Sequence, residues 1–215
     1  MKIAIIGAGN VGTALATSFK HAGHDVVIAS RDPEDAGGAA SSTGSRIAVS
    51  NVAAATDADV VVLAIPFTSA ADVATQIGSV VVGKPVIDAT NRMGFGPTGP
   101  VIDTTSSNAE ELAVLLPGAH VIKAFNTLLA SNQVNPAGAS SPFDGFVAGD
   151  DAAAKATVLA LVESLGLNPI DVGPLSRARQ LEGMAFLNIT LNIANGGAWQ
   201  SGWKLVGAPA PAKAA

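Results

Sequence analysis

Ile3-Ala4-Ile5-Ile6-Gly7-Ala8-Gly9-Asn10-Val11-Gly12 is the stretch on which the rest of the chain is read. An apolar run, Ile3 to Ile6, leads straight into glycines spaced G-x-G-x-x-G, and an alanine-rich stretch with Leu15 and Phe19 at helical spacing follows. Strand, glycine turn and helix are the order that a dinucleotide pyrophosphate requires. Gly7 permits the sharp turn, Gly9 leaves no side chain where phosphates approach, and Gly12 lets helix and strand pack closely. The unpaired N–H groups and the positive dipole end of the helix then face the phosphate oxygens. The spacing alone is weak evidence. Here Gly23-His24-Asp25 and a second apolar strand, Val26 to Ala29, continue it into a βαβ unit, and that context predicts a dinucleotide site.

Cofactor choice is written at the end of the second strand. NAD-binding sites place an acid there for the ribose 2′-hydroxyl, whereas NADP-binding sites carry a neutral residue and a nearby Arg. Ser30 fills the place of the acid and Arg31 follows it. A guanidinium makes bidentate, charge-assisted bonds to a phosphate. Each is worth about 1.5–3 kcal/mol, or about ten- to a hundredfold in affinity. Asp32 reads as the cap of the next helix, because Pro33 suits the first helical position. NADP is therefore the expected cofactor.

Further along, 36–44 is small and polar, a short helix or a loop, 46–50 reads as a strand and 51–56 as a helical turn. The run Val60-Val61-Val62-Leu63-Ala64-Ile65 has the unbroken apolar character of a parallel strand buried on both faces. The C-terminal ends of such strands line the crevice, which places Ile65 and Pro66 against the nucleotide. By the same logic the strand 84–88, ending in Ala89-Thr90-Asn91, points Asp88, Ala89 and Asn91 toward the site; the other reading of Asp88 and Asn91 is a turn in which their side chains bond to the backbone. Residues 92–105 show neither helical nor strand period and read as a long loop over the cofactor mouth. Ser107 and Glu110 form a capping box for a helix to Leu116. Strands are expected over 120–125, 143–149 and 168–172. Asp150-Asp151 serve the N-terminus of a helix reaching Leu165 rather than catalysis. A last helix, 176–195, carries Asn188, Asn192 and Asn195 on one face, which suits a dimer seam, core hydrogen bonds or a pocket wall. Trp199 and Trp203 fit its continuation, and 207–215 is expected to fray.

Composition narrows the function. Of the residues, 48% are apolar and 13% charged, and the net charge is −5, which disfavours nucleic acid and anionic membrane as partners. There is no cysteine, so disulfides and thiolate chemistry are excluded. The first strand begins at once, so no cleavable signal is expected before it. No apolar run reaches the roughly 18 residues of a membrane helix, and a cytoplasmic protein is expected. His21, His24 and His120 all fall at strand starts, opposite the crevice. There is no tyrosine, so a Tyr–Lys proton donor is ruled out. Lys123 lies within a strand and faces either site or solvent. The inventory suits chemistry carried out by bound cofactors that the protein aligns, as in hydride transfer from nicotinamide to a flavin-like ring.

Four segments together carry a resemblance: Gly7-Ala8-Gly9-Asn10-Val11-Gly12, Ala29-Ser30-Arg31, Val121-Ile122-Lys123-Ala124-Phe125-Asn126-Thr127 and Asp171-Val172-Gly173-Pro174-Leu175. In order and spacing they resemble the NADPH-dependent coenzyme F420 reductases. The Lys-Ala-Phe-Asn form also resembles the NADPH-binding domain of the STEAP metalloreductases, which pass hydride to a flavin. The resemblance implies that Ser30 and Arg31 hold the 2′-phosphate. It also implies that the segment from Asn126 through Leu128 to Ala130 borders the nicotinamide and the deazaflavin ring. Two departures stand out. The archaeal pattern has a His where this chain has Asn126, and a Lys after the Ser-Arg pair where this chain has Glu34-Asp35.

The expected protein is thus an α/β, Rossmann-like, doubly wound and mostly parallel sheet of about eight strands with a short helical C-terminal part. The NADP-binding domain covers 1–172 and a C-terminal helical segment 173–206. The expected reaction is hydride transfer between NADP(H) and coenzyme F420 or a flavin (FMN or FAD), with a homodimer as the assembly. The alternatives are an imine or 3-hydroxyacid reductase, or an NADPH-sensing module.

Overall fold

In the computed structural model, which describes residues 1–134 and 142–207, the opening apolar run forms β1 (Lys2–Ile6) and Gly9 caps α1 (Asn10–His21). β2 (Asp25–Ala29), α2 (Pro33–Thr43), β3 (Arg46–Ile47) and α3 (Asn51–Thr56) complete the first half. β4 (Val60–Leu63), α4 (Ala70–Ile77) and β5 (Pro85–Asp88) follow, then a hairpin of β6 (Met93–Gly96) and β7 (Gly99–Ile102), and α5 (Asn108–Leu115) leads to β8 (His120–Lys123). The chain continues through α6 (Ala130–Val134), β9 (Asp144–Gly149), α7 (Ala152–Ser164) and β10 (Asn168–Gly173) to α8 (Ala178–Ala194).

The eight-stranded sheet has the order β10-β9-β8-β5-β4-β1-β2-β3. From β3 to β8 every pairing is parallel, the doubly wound arrangement whose crevice opens between β1 and β4. β9 runs antiparallel to β8 and β10 parallel to β9, extending the sheet on one side. The period of two in the strands builds two cores. Ile3, Ile5, Val60, Val62 and Ile122 face Leu15 and Phe19 of α1 and Val158 and Leu161 of α7. Ala4, Ile6, Val61, Leu63 and Val86 face Ala54 of α3, Val73 and Ile77 of α4 and Leu112 of α5. Covering on both sides explains the unbroken apolar strands. The sheet, its direction and the helical C-terminal part are as the sequence led one to expect.

The caps agree as well. The Asp32 carboxylate accepts from the Glu34 N–H at 2.9 Å, Asp151 accepts from the Ala154 N–H at 2.8 Å, and Ser107 and Glu110 close a capping box. Residues 36–43, left open between helix and loop, belong to α2, which ends at Gly44 in the left-handed region, φ 67°.

Two stretches differ from expectation. Residues 93–102 are no loop but the β6–β7 hairpin, with Phe95 opposite Pro100. Gly94, Gly96 and Gly99 lack side chains, so the alternation that marks a strand has nothing to show. Arg92, pairing with Asp103 at 2.9 Å and also with Glu111, ties the hairpin's base to α5. The last helix stops at Ala194, and Gly196 (φ 58°) and Trp199 (φ 56°) turn the chain back across it, so the tryptophans are not helical. That returning segment takes up the amide face. Asn188 Nδ2 donates to the Ser201 carbonyl at 3.1 Å, Asn192 Nδ2 donates to Ser201 Oγ at 2.7 Å, and the Trp199 N–H donates to Asn192 Oδ1 at 3.2 Å. Asn188 and Asn192 therefore make hydrogen bonds within the chain rather than a seam, and Asn195 stands exposed. The expected tail, but for Gly207, lies outside the described residues.

Candidate functional site

The glycine turn assembles the site. Gly7 sits at φ 114°, and a Cβ there would lie 2.2 Å from the Ala64 carbonyl oxygen, so only glycine lets β1 end beside β4. A Cβ on Gly12 would lie 2.0 Å from the Gly7 carbonyl oxygen, which fixes how closely α1 seats on the turn. At Gly9 the added Cβ would meet nothing within 4 Å. That space belongs to the cleft, in front of a helix N-terminus that no side chain caps and no acidic residue occupies. An open cradle of N–H groups backed by a positive dipole fits a phosphate.

Three cavities join along the C-terminal edge of the sheet. The first, about 540 Å³, runs from the glycine turn (Gly7, Ala8, Gly9) past Ser30 and Arg31 to Ile65 and Pro66. The second, about 620 Å³, shares Gly9, Ile65 and Pro66 and continues past Asn10 and Val11 to Ala89 and Asn91. The third, about 110 Å³, shares Val11, Ala89 and Asn91 and ends at Asn126, Leu128 and Ala130, walled by Ala185, Asn188 and Ile189 of α8, so that Asn188 is a pocket wall as well as a hydrogen-bonded core residue. Among the residues expected at the site, Gly12 and Asp88 lie behind the trench instead of lining it. The sequence reading missed Ser50, Asn51 and Gln76 at the first cavity, whereas Met93 and Gly94, which line the second, come from the segment expected over the cofactor mouth. For Ser50 and Asn51 the place after β3 is a usable signal, since that strand ends at the crevice, whereas Gln76 comes from within α4.

At the far end the two asparagines interlock. Asn91 Nδ2 donates to the Asn126 backbone carbonyl at 3.3 Å and Asn126 Nδ2 donates to Asn91 Oδ1 at 2.9 Å, while Asn126 Oδ1 has no partner. Behind them Phe125 is held at φ 64°, edge-on to Phe19 with ring centroids 5.7 Å apart. Gln133 Nε2 donates to the carbonyls of Phe125 and Leu128 at 3.0 and 3.1 Å and so fixes the loop that carries Asn126. A rarely populated backbone conformation that its surroundings enforce is characteristic of functional loops.

Asp88 does not face the site. It is fully buried beneath it, 2.8 Å from Lys123 Nζ. Lys123 in turn faces neither site nor solvent: its three protons go to Asp88 Oδ2, Glu182 Oε1 and the Thr90 carbonyl. Both strands carry these residues at the same level, Asp88 opposite Lys123, so the pair lies inside the sheet's edge. The histidines stay at the opposite side. His24 contacts the chain's N-terminus and Ser164, and burial together with the N-terminal ammonium holds its pKa below the ordinary value. Among the described residues no three His, Asp or Glu side chains converge as a metal site, and no helix is long and apolar enough to cross a membrane.

A Rossmann-type sheet with this glycine turn at the mouth of the crevice is the architecture of dinucleotide-binding proteins. Residues 2–92 match the sequence profile of the family described as NADP oxidoreductase, coenzyme F420-dependent. Over 213 residues the chain is 36% identical to the F420-dependent NADP reductase of Methanothermobacter thermautotrophicus, covering 91% of this chain and 90% of that protein. It is 31% identical to the metalloreductase STEAP3 of Rattus norvegicus over 84% of this chain, but spans only 36% of that protein's length. A candidate F420-dependent NADP reductase from Arthrobacter sp. FB24 superposes with a TM-score of 0.86 at 32% identity, over 95% of this chain and 99% of the other. The chain belongs to the coenzyme F420-dependent NADP oxidoreductase family.

Proposed function

We propose that the protein transfers hydride between NADP(H) and coenzyme F420. The observation that carries this reading is the continuous trench, which begins at a guanidinium and ends in a cup without an acid or base. Arg31 and Ser30 hold the 2′-phosphate, and the N–H groups at the start of α1 hold the pyrophosphate across Gly9. Ile65, Pro66 and Ala89 pack on the nicotinamide half, and Asn91, Asn126, Leu128 and Ala130 border the ring. A bound nicotinamide supplies the hydride, which needs no protein nucleophile. The residues of the cup have therefore to orient two rings face to face and exclude water. F420 is favoured over a free flavin by the Methanothermobacter and Arthrobacter relatives, which match nearly full length.

The test follows NADPH at its absorbance band with F420, FMN, FAD, riboflavin, a ferric chelate and a cyclic imine in turn. Turnover with F420 is expected. Turnover with the imine alone overturns the reading, and silence with every acceptor points to a binding module.

We further propose a homodimer built on the exposed side of α8, where Leu187 and Leu191, one turn apart, stand 48% and 51% exposed. An apolar row on a helix whose amides are already satisfied is suited to a second copy. Sedimentation equilibrium reads the mass, and a monomer at micromolar concentration contradicts this assembly.

A further inference from the structure

The charges around Arg31 oppose the group that the trench is read to hold there. The first cavity is lined by one cation, Arg31, and by three carboxylates, Asp32, Asp35 and Asp72. Asp32 is already engaged, capping α2 through the Glu34 N–H. Asp72 belongs to the first turn of α4, beyond Ser69 and on the other wall. Asp35 is placed differently. It lies in the first turn of α2 and also borders a second groove along α1 and α6. The residues common to the two grooves are Ala8, Gly9 and Asp35 itself. Asp35 therefore stands on the rim common to the two grooves, in the same cavity as Arg31, and among the described residues neither Arg31 nor Asp35 takes part in an ion pair.

We propose that Asp35 is a specificity-determining residue whose carboxylate repels a 2′-phosphate and so limits the preference for NADPH over NADH that Arg31 creates. This inference rests on the reading of the trench as an NADP site. A 2′-phosphate adds close to two negative charges to the ligand, whereas the diphosphate is common to both dinucleotides. The repulsion therefore bears on the ratio of the two affinities as well as on each. For exposed charges several ångströms apart, removing one carboxylate changes the affinity for a dianion by about three- to tenfold. The effect diminishes as salt screens it.

Titration calorimetry with NADPH and NADH, on the wild type and on Asp35→Asn, tests the assignment at low and at physiological salt. The control is Glu34→Gln, one residue away on the same exposed helix turn and absent from both grooves. Asp35→Asn is expected to tighten NADPH by about three- to tenfold and NADH by less than twofold. The same variant should tighten 2′,5′-ADP more than 5′-AMP. Glu34→Gln should leave every affinity in place. Equal gains for the two dinucleotides, an equal gain from Glu34→Gln, or no gain at all overturns the role of Asp35. If the wild type binds neither dinucleotide, the reading of the trench fails and the inference fails with it. NADPH binding that Asp35→Asn leaves unaltered sinks the inference alone.

Discussion

Lys123 Nζ lies 2.8 Å from Asp88 Oδ2 and 2.8 Å from Glu182 Oε1, and all three side chains are shut away from solvent. Two carboxylates share one ammonium, and the excess negative charge is met by backbone. Glu182 accepts from the Asn108 N–H, the first residue of α5, at 2.9 Å and from the Arg92 N–H at 3.0 Å. Asp88 Oδ1 accepts from the Thr90 N–H at 3.0 Å. The N-terminus of α5 thus faces the carboxylates that its dipole favours. The cluster pins the β5 end, the segment 90–92 and α8 to one another, and Asn91 is held between its fixed neighbours.

Removing the shared cation leaves two buried carboxylates without a counter-charge. Lys123→Met is therefore expected to destabilise the fold by about 3–5 kcal/mol, read as a lower denaturant midpoint at unchanged slope. A shift within about 0.5 kcal/mol, the range of ordinary surface changes, would mean that the carboxylates find other partners.

The glycines of the turn separate stability from binding. Gly12→Ala puts a methyl group against the Gly7 carbonyl oxygen and should cost about 1–3 kcal/mol of stability. Gly9→Ala has room for its methyl in the free protein. It should melt close to the wild type yet bind NADPH at least about tenfold more weakly, roughly 1.4 kcal/mol. Thermal melts and NADPH titrations on both variants read the two effects apart. Equal behaviour in both assays would show that Gly9 does not border the phosphates.

Arg31→Ala addresses the 2′-phosphate directly. NADPH affinity should drop by about ten- to a hundredfold while NADH affinity stays nearly constant. Equal losses for the two cofactors would remove Arg31 from that role.

Acid should loosen the contact between α8 and α5 through Glu110. Arg179 holds its carboxyl below the ordinary value of 4.5, with the Ser107 hydroxyl and N–H adding to the effect. The folded protein thus binds this proton more weakly than the unfolded chain does. The resulting stability is complete above the ordinary value and is lost as pH falls through the lowered one. Glu110→Gln should accordingly be less stable than the wild type near neutral pH, with the gap closing in acid. A gap that persists below the carboxylate range would assign the effect to lost packing.

Much of the trench is legible in the chain itself because its determinants are local. A glycine turn between a strand and a helix, a Ser-Arg pair at the next strand end and an Asp-Pro helix start each depend on neighbours in sequence. The unbroken apolar runs of β1 and β4 announce burial on both faces without reference to any partner. The hairpin was not legible, since glycines at 94, 96 and 99 carry no pattern, and its existence rests on cross-strand bonds and on the clasp of Arg92. The fates of Lys123 and the asparagines of α8 were likewise open, and Asp88, at a strand end that pointed it toward the site, is instead drawn under it by Lys123.

What the sequence determined by itself is the doubly wound fold, the position of the trench and the placing of Arg31 at one end of it, all set by short-range geometry and period. What the tertiary structure alone decided is where the buried charges and amides find partners. Glu182 comes from 59 residues beyond Lys123, and Ser201 reaches Asn188 only after the chain reverses at Gly196. A buried polar group must be satisfied by whatever folding brings beside it, and a linear sequence does not display that proximity.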